Sequence, residues 1–175
     1  MARSLLLSFI AVLVLVATAV AGERTLGFTV DDLPRRFNAS ADRIGIDLYA
    51  SEMKISQGKE YDLFSIPLLA PGLTLEGGFD RVSREVVTVI ARYNAGEAVG
   101  DTKRFALCSL ALVDVCSPEV TKNQRADALK DAGLTDPANI TYPKTGNPYG
   151  DSVVGGVHYH YALTDFGAIF GAKPL

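Results

Sequence analysis

Apolar residues recur along this chain at two periods, and the change from one to the other outlines the fold. Leu33, Phe37 and Ala41 follow one another at four-residue spacing and Ile44 comes three later, while Arg35, Arg36, Asn38 and Asp42 fall off that line. This is one helical stripe. Asp31 and Asp32 offer caps, Pro34 suits a first turn and Gly45 a stop, so the spacing predicts a helix over Asp32–Arg43. The period then drops to two. Ile46, Leu48, Met53 and Ile55 alternate with polar residues up to a turn at Gln57-Gly58-Lys59. Tyr61–Leu69 is an apolar run with Pro67 inside, which suits an edge or bulged strand. Leu73–Glu76 resumes alternation, Gly77-Gly78 marks a bulge, and Glu85–Tyr93 is the most β-branched segment of the chain.

Thr102–Val113 is apolar around most of a helical circumference and is therefore expected to be buried. Ser117-Pro118-Glu119 reads as the start of another helix, closed by Gly133, with a turn at Asp114–Cys116 between the two. Thr135–Gly150 holds three prolines and two glycines and is expected to be a long irregular loop, a common place for contacts. Val153–Leu163 reads as one long strand, with Val157, Tyr159, Tyr161 and Leu163 on one face and His158 and His160 on the other, and Phe166–Ala172 as a last strand. Strands come in groups rather than singly between helices. The expected class is α+β, an antiparallel sheet of five to six strands with helices packed on one face.

The first twenty-one residues stand apart. Arg3 precedes an apolar run, Leu5–Val16, and Ala19-Val20-Ala21 has the small-x-small form of a cleavage site. This is the grammar of a secretory signal peptide over residues 1–21, leaving a single domain at 22–175. The expected location is the periplasm or the extracellular space, with no membrane insertion after cleavage. Loss of Arg3 takes the formal net charge from −3 to −4. An acidic chain without a basic block argues against nucleic acid as a partner. In an oxidising compartment the two cysteines, Cys108 and Cys116, read as one disulfide, provided the chain turns between them.

Candidate chemistry is sparse. Ser51-Glu52-Met53-Lys54 and Lys144-Thr145-Gly146 match the S-x-x-K and K-T-G strings of serine β-lactamases. Ser51 lies in a strand-like stretch rather than at a helix start, Lys144 lies in a Pro-rich loop, and no S-D-N stands between them, so the match is read as chance. His158 and His160 share a strand face and can reach one metal, but zinc takes at least three protein ligands, and Asp151 or Asp165 supplies a third only through tertiary placement. Glu76, Asp80 and Glu85 read as turn and edge charges rather than paired catalytic acids. The sequons Asn38-Ala39-Ser40 and Asn139-Ile140-Thr141 carry no weight alone.

No catalytic set, cofactor motif or complete metal set emerges. The expected function is a small exported non-enzymatic binding domain for a protein or envelope component, with His158, Tyr159, His160, Tyr161 and Tyr149 as its contact surface. A small metal-dependent hydrolase built on His158 and His160, and a structural subunit of an envelope assembly, are the alternatives.

Overall fold

The computed structural model describes residues 24–94, 102–134, 149–164 and 167–175. The expected leader at 1–21, Asp165 and most of the expected 135–150 loop, including Lys144–Gly146 and Asn139, lie outside the described residues.

Helix α1, Leu33–Ile44, forms where the four-residue spacing places it. Pro34 occupies its first turn, and Gly45 ends it in the left-handed region at φ 73°. Only a residue without a Cβ takes that conformation without strain. Leu33, Phe37 and Ala41 are buried, as the stripe requires. Asn38 is not a spare surface amide: its Oδ1 accepts the Ala50 N–H at 2.8 Å and holds the chain that leaves the helix.

Four strands follow as a meander: β1 Lys54–Ser56, β2 Asp62–Pro67, β3 Leu73–Phe79 and β4 Val86–Asn94. The expected alternation over Ile46–Ile55 yields only a bridge at Ala50 and the three-residue β1. The Gly77-Gly78 expectation is met, because the register of β3 on β4 slips between Gly78 and Phe79. Two helices come next, α2 Thr102–Cys116 and α3 Lys122–Asp131. Then come β5 Tyr149–Val154, β6 Val157–Thr164 and β7 Gly167–Pro174. The seven strands form one antiparallel sheet in the order β1-β2-β3-β4-β7-β6-β5. The α+β class stands, with seven strands in place of the expected five to six.

The core lies between the helices and one face of this sheet. Phe105 of α2 packs between Tyr93 of β4 and Tyr161 of β6, with ring centroids 5.8 and 6.5 Å away. Tyr159 stacks on Phe170 at 5.7 Å. Among the described residues no helix is long and apolar enough to cross a membrane.

The expected disulfide is overturned. α2 does not turn at Asp114 but runs on through Cys116, so both cysteines sit on one continuous helix. Eight residues at about 1.5 Å rise separate them by about 12 Å, beyond the ~4.4–6.8 Å between Cα atoms that a bridge requires. Both are free thiols in the core. Burial raises both thiol pKa values, that of Cys108 to about 12, which leaves them inert. A thiol titration is expected to find two thiols per chain that react only after unfolding. A reductant should leave the melting temperature unchanged; a bridged pair in the native protein overturns this.

The reason for the missed helix end is local. Nothing in Asp114-Val115-Cys116 breaks a helix, and Pro118 is the first residue that cannot continue one. Ser117 is not an N-cap either. Its N–H still bonds back to Val113 O at 2.9 Å, and the next helix starts at Lys122 behind a capping box of Thr121 and Gln124.

The three helices are tied by an ion cluster instead of a sulfur bridge. Asp114, 1% exposed, is held by Arg43 from α1 and by Arg125 from α3. The Ser40 hydroxyl donates to Ala111 O at 3.3 Å in the same α1–α2 seam.

Candidate functional site

The sequence-predicted contact residues all lie on the β5–β6 hairpin, and its turn decides which of them can meet a partner. Gly155 and Gly156 have φ of 58° and 71°. Two consecutive positive values are the requirement of the two-residue turn that joins twisted antiparallel strands. What reads as one strand over Val153–Leu163 is therefore broken, and Tyr149–Val154 folds back against Val157–Thr164 in the register Val154↔Val157 to Tyr149↔Ala162.

Alternation then sorts the side chains. Val157, Tyr159 and Tyr161 point into the core beneath the helices. The Tyr159 hydroxyl lies 2.7 Å from the Ser117 hydroxyl, and burial raises its pKa well above the usual phenol value. Tyr159 and Tyr161 are thus removed from the expected contact surface. They are structural, because the face that pairs Tyr with Val157 is the one α2 covers. His158, His160 and, on β5, Tyr149, Asp151 and Val153 lie on the opposite face. Tyr149 is 63% exposed and Val153 57%.

The two histidines differ sharply. His158 is half-buried, and its Nε2 lies 3.0 Å from Asp151 Oδ1, across the hairpin. His160, the Cα partner of Asp151, folds its ring over Gly171 of β7 so closely that a Cβ there would run into it. Neither His160 ring nitrogen has a protein partner among the described residues. Burial is the main reason its pKa drops to about 4; the charges of His158 and Lys173 push it the same way and Asp151 opposes them. His160 is therefore neutral at pH 7.

Further along this face the side chains close over themselves. Ile90 of β4, the Cα partner of both Gly171 and Glu76, is buried. An ion pair between Glu76 and Arg92 flanks it on the other side. Glu76 is an ion-pair partner of Arg92, and Asp80 accepts the N–H groups of Val82 and Ser83.

Ser51 is also accounted for: its hydroxyl donates to Pro67 O at 2.6 Å and stitches the chain ahead of β1 to the end of β2. Lys54 lies on β1 rather than one helical turn away. In the resting geometry no group of three His, Cys, Asp or Glu among the described residues is arranged to hold a metal ion.

The site thus brings together Tyr149, Asp151, Val153, His158 and His160. The sequence offers Asp151 only as a third metal ligand dependent on tertiary placement, and Val153 lies outside the expected set. The Gly155-Gly156 pair between two alternating runs is the signal that pairs them with the histidines. Comparison with known proteins finds no matching family model, no matching curated protein and no matching solved structure.

Proposed function

We propose that this chain is an exported, non-catalytic binding domain that holds a protein or envelope component against strand β5. One observation carries the reading: Tyr149 and Val153, both more than half exposed, flank the Asp151–His158 pair on a strand that ends the sheet. Natural sheets protect their edges with short strands and lysines, because an open edge invites another strand. The opposite edge fits that rule, being three residues long and headed by Lys54. β5 is six residues long and carries no lysine. Exposed aromatic and branched side chains around a charged pair are the usual makings of a contact patch with a polar centre. Export rests on the leader, with Arg3, the apolar Leu5–Val16 run and the small residues before Gly22. The cysteines no longer add to it.

The test is comparative capture. Immobilised protein and a Tyr149→Ser/Val153→Ser double variant are exposed to the envelope and medium fractions of the source cell, and retained material is identified by mass spectrometry. A component held by the unaltered chain and lost by the variant supports the reading. Equal retention by both, or no retention, rejects it.

A further inference from the structure

We propose that Asp151, His158 and His160 form a binding site for one divalent transition-metal ion of the zinc class, completed when the His160 ring turns off Gly171. The proposal is independent of the contact reading of β5.

Geometry supplies the first argument. His158 and His160 stand two apart on β6, so their side chains leave the same face, and Asp151 is the direct cross-strand neighbour of His160. Ligands at about 2.1 Å from a tetrahedral zinc lie about 3.4 Å from each other. His158 Nε2 and Asp151 Oδ1 are already 3.0 Å apart, close to that spacing. Two imidazoles on one zinc have centroids about 5 Å apart. Those of His158 and His160 are 6.3 Å apart, so the third ligand is short by roughly one ångström and a ring rotation.

Chemistry supplies the second. A buried polar group without a partner is costly, and both His160 nitrogens are in that state among the described residues. A metal bond would satisfy a nitrogen that the protein leaves without a partner among the described residues. His, His and a carboxylate are the donors that suit zinc and its neighbours rather than calcium or magnesium. Lys173 of β7, the Cα partner of His158, also faces the group. Its long flexible stem lets the ammonium swing towards solvent, where screening weakens its repulsion. Three protein ligands leave one position on the ion open to water.

Chelator-stripped protein is titrated with zinc chloride by calorimetry, while the imidazole nitrogens are followed by NMR. Saturation at one zinc per chain in the micromolar range is expected, with the resonances of both His158 and His160 shifting together. Asp151→Asn should weaken binding by roughly tenfold or more, as loss of a coordinating or supporting carboxylate does, and His158→Ala should abolish it. Both side chains are partly or largely exposed, and an unchanged melting curve without metal confirms that the variants fold. Binding only at millimolar zinc, a shift confined to His158, or an Asp151→Asn variant that binds as the parent does overturns the site. The Tyr149→Ser/Val153→Ser variant should still bind zinc, which keeps failure here distinct from failure of the contact reading.

Discussion

Replacing Asp114 by alanine is expected to lower the stability of the protein by about 3 kcal/mol, because it strands a guanidinium beneath the helices. Asp114 is almost wholly buried, and its two cationic partners differ in what they can do without it. The Arg43 side chain is largely exposed and simply returns to water. Arg125 is mostly enclosed, and its Nε already lacks a partner among the described residues. The loss therefore arises at Arg125. Arg43→Ala should cost less than about 1 kcal/mol, as surface ion pairs do. The double variant Asp114→Ala/Arg125→Met should regain most of the loss, because an enclosed ion pair is often replaceable by apolar groups of similar volume. Urea unfolding of the four proteins measures all three terms. A loss below about 1 kcal/mol for Asp114→Ala rejects the account and returns the tie between the helices to apolar packing alone.

Acid is expected to destabilise the protein in two separate steps, and His160 causes the first. Its pKa is about 4 in the folded chain against 6.5 for a free histidine. Between those values the unfolded chain holds a proton that the folded one does not, so stability is complete above about pH 6.5 and falls as the pH drops toward 4. The difference amounts to at most about 3 kcal/mol. The second step lies lower. Asp31, Asp32 and Asp80 are held below the ordinary carboxylate value by Arg84, by Arg35 and by the Ser83 backbone N–H respectively, so their contribution disappears only as they protonate in the native state. His160→Gln should flatten the profile between pH 6.5 and 4 and leave the lower step in place. A variant that keeps the full slope in the upper window would show that another group governs it.

Much of the architecture follows from chemistry that acts within a few residues. The α1 boundaries can be read from the apolar spacing, Pro34 and Gly45, because stripe, first turn and cap each depend on immediate neighbours. The β3 bulge is marked by its two glycines for the same reason. Errors arose where a local signal had two readings. Asp114-Val115-Cys116 reads as a turn because Ser117-Pro118-Glu119 reads as a helix start, yet the Asp114 charge is neutralised by Arg43 and Arg125, and the helix continues. Gly155-Gly156 was passed over because Val153 and Val154 on one side and Val157 on the other read equally well as one strand or as two.

The candidate site was half legible. That His158 and His160 face away from Tyr159 and Tyr161 follows from strand alternation alone. Which face is covered does not, since it depends on where α2 packs.

The order of residues along the chain thus decided the class, the spacing of helix and strand, and the opposition of histidine to tyrosine, all of which come from periodicity and from backbone preferences at glycine and proline. Tertiary structure alone decided that three helices meet on one carboxylate and that the two imidazoles differ in burial. Each of those is a contact whose energy depends on exclusion of water by distant segments, and no short stretch of sequence contains that information.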